Sequence, residues 1–302
     1  MKWEKLDFCF SIENYIRDCR YRGAAVPFAH ELGDGLYRIY YTARDPENRS
    51  HIFYMDMQLF PLEVVHICPE PVIVPGELGA FDDSGTMMSW LTAVGSEYYL
   101  YYIGWNLGVT VPFRNSIGLA VSSDGKAFTK MFQGPVMDRT RFEPHFCASS
   151  CVLKEDGIFK MWYLSCTGWD TVDAAPRHKY HIKYAESQDG INWERTGRVA
   201  IDYKDSGEYA ISRPCVIVKD GRYQMWYSYR GDRYRIGYAE SRDGLVWERK
   251  DEEAGIDVSE NGFDSEMIEY PFVFSCHGKQ YMLFNGNEYG QTGFGIAVQR
   301  EP

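Results

Sequence analysis

The stretch that decides the fold is Ser212-Arg213-Pro214-Cys215-Val216-Ile217-Val218-Lys219-Asp220-Gly221-Arg222-Tyr223-Gln224-Met225-Trp226-Tyr227. It continues as Tyr234-Arg235-Ile236-Gly237-Tyr238-Ala239-Glu240-Ser241-Arg242-Asp243-Gly244-Leu245-Val246-Trp247-Glu248-Arg249. An earlier copy has Ser150-Cys151-Val152-Leu153, Asp156-Gly157 and Phe159-Lys160-Met161-Trp162-Tyr163. That copy goes on as His181-Ile182-Lys183-Tyr184-Ala185-Glu186-Ser187-Gln188-Asp189-Gly190-Ile191-Asn192-Trp193-Glu194-Arg195. Weaker copies run from Tyr98–Tyr102 to Ile117–Gly125, from Leu36–Tyr41 to His51–Tyr54, and from Pro271–Phe284 to Gly295–Val298. Self-similarity at a fixed spacing marks a repeat architecture.

Each copy reads as a short apolar strand, a Gly-containing turn, an aromatic strand, an alternating strand, and an Asp-Gly turn into a fourth strand carrying Trp. Five four-stranded units predict an all-β fold: a five-bladed β-propeller spanning residues 1–302 as one domain. A β-sandwich is the alternative. Recurrence of the same letters at the same offsets argues against it. The fifth copy stops at Ala297–Arg300 without a fourth strand. Trp3-Glu4-Lys5 matches Trp193-Glu194-Arg195 and Trp247-Glu248-Arg249, so residues 2–6 are expected to complete the last blade and close the ring. An open ring would leave an unpaired strand edge.

Composition narrows the function. The chain has 302 residues, with Lys+Arg 32 against Asp+Glu 43 and a net charge of −11. That acidity argues against nucleic acid or anionic membrane as partner. No apolar run reaches the ~20 residues of a membrane span, and the N-terminus lacks a signal-peptide pattern. The eight Cys are scattered without a Cys-x-x-Cys. They read as reduced core thiols in a cytoplasmic protein. Cys147, Cys151 and His145 as a zinc set have no repeating spacing, so neither metal nor cofactor is expected.

The blade pattern, with Met-Trp-Tyr, Tyr-Ala-Glu-Ser-x-Asp-Gly-x-x-Trp and Asp-Ser-Glu-Met-Ile-Glu-Tyr-Pro, resembles the five-bladed propeller glycosidases. These are the arabinanase, levansucrase and invertase group of glycoside hydrolase families 43, 32 and 68, with similarity to the mannoside phosphorylases of family 130. The resemblance implies a ligand in the central depression, where innermost strands begin, and three carboxylates from different blades. It also implies an acid in the first strand of blade one. Ala24-Ala25-Val26-Pro27-Phe28 has none.

Positions on that face give the candidates. Asp83, Glu208 and Glu266 precede first strands, with Glu269 close by. Glycosidic cleavage needs a protonated acid and a base or nucleophile. Glu208 and Glu266 are therefore expected as that pair, with Asp83 and Asp45 tuning or orienting; solvated loop charges are the bland alternative. Loops joining second to third strands supply Arg44, Arg49, His51, Trp105, Asn106, Arg114, Arg230 and Asn287, and Arg213 lies in an innermost strand. Arg forks bind carboxylate or phosphate, unless they pair with the carboxylates as structural salt bridges. Trp105 is suited to stacking on a sugar ring. His145, His178 and His181 read as structural.

The expected function is a glycoside hydrolase-like enzyme acting on an acidic or phosphorylated sugar. The alternatives are an inverting phosphorylase and a non-catalytic glycan-binding propeller. Two carboxyls ~5–10 Å apart across the depression would indicate hydrolysis; a lone Glu facing arginines would indicate phosphorolysis or binding. Oligomeric state is not legible. One prediction follows from the thiols: adding reductant leaves the melting temperature unchanged, and a large drop would reveal disulfides.

Overall fold

A computed structural model describes residues 1–300. They form twenty strands and three short helical turns, Ile12–Asn14, Asp251–Glu253 and Asn287–Gly290. β1 is Trp3–Phe10. β2 to β5 are Arg22–Gly33, Leu36–Arg44, Ser50–Leu59 and Leu62–Ile67. β6 to β9 are Gly85–Val94, Glu97–Leu107, Phe113–Ser122 and Thr129–Lys130. β10 to β13 are Cys147–Glu155, Ile158–Val172, Ala175–Ser187 and Val199–Ile201. β14 to β17 are Ala210–Lys219, Arg222–Arg230, Tyr234–Ser241 and Trp247–Arg249. β18 to β20 are Glu269–Cys276, Lys279–Asn285 and Phe294–Gln299.

Pairing is antiparallel within each of these sets. Single parallel bridges, Ser50 to Gly85 and Tyr180 to Ala210, merge four of the sets into two eight-stranded sheets. The remaining sheet has the order β1-β20-β19-β18. Trp3 pairs with Gln299 and Lys5 with Ala297, so the first strand borders the last three as the Trp-Glu-Lys match predicts. One expectation shifts. Trp193-Glu194-Arg195 makes only an isolated bridge, from Glu194 to Glu186, and the fourth strand forms later, at β13.

The repeated letters have a mechanical reason. In Ser122–Gly125, Ser187–Gly190 and Ser241–Gly244 the Ser hydroxyl accepts the Gly N–H at 2.9 Å. The Asp carboxylate accepts the N–H groups that follow, which holds Asp124 and Asp189 below the usual carboxylate range. The freed Gly carbonyl then latches the preceding set. Gly125 accepts Tyr40 Oη, Gly190 accepts Tyr101 Oη, and Gly244 accepts Trp162 Nε1. At Gly190 φ is +74°, and a Cβ would sit 2.8 Å from the Tyr101 hydroxyl. Glycine is therefore required there.

Innermost strands are stitched the same way. Thr42 Oγ1 accepts Met88 N, Ser89 Oγ accepts Ser150 N, and Cys151 Sγ accepts Val216 N. Cys215 Sγ accepts Val273 N, and Asn285 Oδ1 accepts Val26 N, which leads back to the first set. All eight cysteines are free. Two of them thus accept backbone N–H groups of the next set and are not mere filler.

A second repeated device is a buried ion pair. A carboxylate ahead of an innermost strand meets a base from the last strand or last segment of the same set. The pairs are Asp82 with Lys130 at 2.6 Å, Glu143 with Arg195 at 3.0 Å, Glu208 with Arg249 at 2.7 Å, and Asp264 with Lys5 at 2.5 Å. Glu208 also accepts Lys204 N. The carboxylate expected as catalyst is therefore one member of a fourfold structural series. Removing one partner of such a pair strands the other charge. Glu208→Gln is expected to cost about 2–3 kcal/mol of stability, read as a lowered melting temperature. A native melting temperature combined with lost turnover would restore Glu208 to the chemistry.

Candidate active site

Innermost strands carry a β-bulge at the same height in every set. Register skips fall between Ala25 and Phe28, Met88 and Trp90, Ala148 and Ser150, Ser212 and Cys215, and Glu269 and Phe272. Four of the bulged residues have left-handed backbone: Val26 at φ +54°, Ser149 at +39°, Arg213 at +51° and Tyr270 at +55°. Such conformations cost roughly 1–3 kcal/mol each and cluster where side chains must be re-aimed.

Three of these residues, Val26, Ser149 and Tyr270, line a cavity of about 560 Å³, a volume typical of small-ligand sites. The first set contributes Arg22, Thr42, Arg44 and Asn48 to the wall. The second contributes Met87, Ile103, Trp105, Phe113 and Asn115. Phe146, Leu164, His178 and Tyr180 follow from the third. Ser212 and Tyr234 come from the fourth, and Glu288–Gln291 close the mouth.

Arg44 and Trp105 are the sequence-derived candidates found in this wall. The Arg44 guanidinium lies 5.5 Å from the Trp105 ring centre and donates to the Asn48 carbonyl. Trp105 Nε1 donates to Ser50 Oγ at 2.7 Å, which fixes its indole. Arg22 and Arg44 have no carboxylate partner among the described residues.

The other candidates are elsewhere. Asp45 accepts Arg49 Nε and faces His51 Nε2 at 3.0 Å. Burial pushes its carboxyl up, but those contacts win and hold it low. Burial lowers the pKa of His51, against the pull of Asp45. Asp83 is likewise pushed up by burial and pulled lower by Asn106, Gly79 N–H and Ser84. Asn106 and Arg114 line a second cavity of about 580 Å³. Glu266 is exposed, 3.4 Å from Arg233. Asn287 caps the Glu266 and Met267 N–H groups. Asp45, Asp83, Glu208 and Glu266 therefore do not converge on the central cavity. Each is satisfied by its own neighbours.

Arg213 is fully buried beneath the cavity. Its guanidinium donates to the carbonyls of Ser89 and Pro27, both freed by bulges. No carboxylate meets it, and burial lowers its pKa to about 10. It is a pin between three sets and does not line the ligand site.

Two groups matter more than their place in the sequence suggests. His178, which reads as structural from sequence, lines the cavity. It is stacked 4.7 Å over Tyr180, and burial lowers its pKa to about 4. Glu269 is the larger surprise. It is fully buried behind Tyr180, Tyr234 and Tyr270, and neither carboxyl oxygen has a hydrogen-bond partner. Burial holds it well above the usual carboxylate range, against the pull of Arg230 and Tyr270. Arg230 itself donates to Tyr289 Oη at 2.6 Å and lies among the rings of Tyr209, Tyr234 and Tyr289. Among the described residues no three His, Cys, Asp or Glu side chains converge as a metal site.

No family model matches the chain. It is 40% identical over 300 residues, 99% of each chain, to Uncharacterized protein MT1551 of Mycobacterium tuberculosis (strain CDC 1551 / Oshkosh). A 145-residue stretch, 45% of this chain and 44% of the relative, is 29% identical to the 1,2-beta-oligomannan phosphorylase of Thermoanaerobacter sp. (strain X514). Among solved structures, a glycosyl hydrolase from Bacteroides ovatus superposes with TM-score 0.69 at 16% identity, covering 98% of this chain and 92% of that one. A thermostable family-43 glycoside hydrolase gives TM-score 0.65 at 17% identity, covering 92% and 89%. The Bombyx mori GH32 beta-fructofuranosidase BmSUC1 gives 0.66 at 16%, covering 93% and 61%. Identities this low carry the fold alone. With 40% identity along its length, the chain belongs to the family of the M. tuberculosis protein, and its fold is the propeller of the family-43 and family-32 glycoside hydrolases.

Proposed function

We propose that this chain is a five-bladed propeller, closed by its N-terminal strand, that transfers a glycosyl group to inorganic phosphate. Support for closure is the run of side-chain acceptors from Thr42 to Asn285, which returns to Val26. Free cysteines, with two engaged as thiol acceptors, favour a reducing, cytoplasmic setting.

One observation carries the reaction. Glu269 lies buried beside the cavity with its carboxyl raised well above the ordinary range, while, among the described residues, Arg22 and Arg44 stand in the wall without a carboxylate partner and the one acid in that wall, Glu288, is exposed. Hydrolysis needs a second carboxylate to activate water or attack the sugar. Phosphate brings its own nucleophilic oxygen and needs cationic forks to hold it. The similarity to an oligomannan phosphorylase favours the same reading, and makes a β-mannoside the first substrate to try. In this scheme a phosphate oxygen bonds to the anomeric carbon as the glycosidic C–O bond breaks. The leaving oxygen takes a proton from Glu269 by way of Tyr270, whose hydroxyl must turn into contact with the carboxyl for the relay. The proton of the attacking hydrogen phosphate returns to Glu269, and the products are a glycosyl phosphate and the shortened glycan. Trp105 and Tyr270 supply faces for the sugar ring.

Incubation with β-1,2-mannobiose, followed by ³¹P NMR, is expected to give mannosyl phosphate only when phosphate is present. Equal sugar release without phosphate would make the chain a hydrolase. Binding without turnover would make it a glycan-binding propeller. Glu269→Gln is expected to cut turnover by at least ~10²-fold.

The same variant carries a stability signature. An acid whose folded pKa is raised binds more protons folded than unfolded, so its contribution falls as pH rises above the ordinary carboxylate value. Wild-type stability should therefore decline from pH ~4.5 upward relative to Glu269→Gln. At pH 7 the variant should melt no lower than wild type. Parallel pH profiles would mean that Glu269 is ionised in the fold.

A further inference from the structure

The cavity has two unlike halves. Arg22, Arg44, Asn48, Ser212 and Tyr270, from the first, fourth and fifth sets, carry its cationic and much of its polar surface. Met87, Ile103, Phe113, Phe146, Ala148 and Leu164 form an apolar stretch from the second and third sets, edged by Trp105, Asn115, Ser149, His178 and Tyr180. These six belong to a hydrophobic cluster separate from the main core. They pack on one another in that cluster and also line the cavity. Met87, Ile103, Ala148 and Leu164 offer no partner to sugar hydroxyls, which would lose water there without replacing it. The apolar surface also leads outward. Leu107 lines both this cavity and the second one, and is 73% exposed, with Val109 fully exposed beyond it.

We infer that the substrate is a glycoside bearing an alkyl or acyl chain, whose apolar part lies along Met87, Ile103, Phe113 and Leu164 and leaves over Leu107 while the sugar and phosphate occupy the arginine side. This rests on the carbohydrate reading above and adds the aglycone to it. A purely polar oligosaccharide would leave the apolar half wetted and idle.

The test uses 8-anilinonaphthalene-1-sulfonate, whose rings suit the apolar wall and whose sulfonate suits the arginines. The native protein is expected to enhance its fluorescence. Octyl β-D-mannopyranoside, below its micellar range, should displace the dye at concentrations at least tenfold lower than either methyl β-D-mannopyranoside or 1-octanol; tenfold is less than two buried methylenes are worth. Met87→Gln and Phe113→Gln, checked for native melting, should each cut the advantage of octyl over methyl at least threefold. The inference is overturned if the dye does not bind, if octyl and methyl mannosides displace it equally, or if both natively melting variants keep the full advantage. Displacement by 1-octanol as strong as by octyl mannoside is a different result. It would leave an apolar subsite but remove the sugar reading beneath it.

Discussion

The arrangement depends on a cation buried without an anion. Arg213 reaches from the fourth set of strands to carbonyls of the first and second. A guanidinium in the interior is costly unless its donors are met. Here the acceptors are carbonyls that β-bulges have taken out of the ladder. Bulge and arginine therefore require each other. Without the bulges Ser89 and Pro27 would have no free carbonyl to offer, and without Arg213 those carbonyls would be buried and unmet. Bulges at the equivalent places bring Val26, Ser149 and Tyr270 to the cavity. One backbone irregularity, repeated, thus serves cohesion below and ligand contact above.

Charge is sorted by depth in this frame. Most carboxylates that precede innermost strands are consumed by bases of their own set, as Asp82, Glu143, Glu208 and Asp264 show. That leaves the cavity wall with arginines and the exposed Glu288, and behind it Glu269, whose pKa burial raises well above the ordinary range. A neutral acid beside a cationic pocket is a poor activator of water. It suits protonation of a leaving group while an anion attacks. The tyrosines between Glu269 and the cavity keep bulk water from the carboxyl, which is what keeps the proton in place.

The architecture is legible in the sequence because its repeated letters are its mechanical contacts. Ser-x-Asp-Gly recurs since its turn must free one glycine carbonyl, and Trp-Glu-Lys at residues 3–5 announces the strand that borders β20. The site is less legible, for the same reason. Counting positions finds Arg44 and Trp105, which end second strands. It also picks Glu208 and Asp83, because carboxylates at repeated positions look alike whether they catalyse or brace. Only side-chain geometry separates Arg249-bound Glu208 from partnerless Glu269. Ser149 escapes such counting because a bulge, invisible in the residue pattern, decides which side chain turns inward. The left-handed Val26 is the sharpest instance, since nothing about valine announces such a backbone.

The most direct measurement is the protonation state of Glu269 itself. Difference infrared spectroscopy at pH 7, wild type against Glu269→Gln, reads the carbonyl stretch of a protonated carboxyl apart from ionised ones. The account predicts a protonated-carboxyl band in wild type that is absent from the variant and shifts when phosphate and a mannoside bind together. A wild-type spectrum without that band at neutral pH would show Glu269 ionised. Glu269 could then not supply the proton to the leaving group, and the account of its chemistry would be wrong.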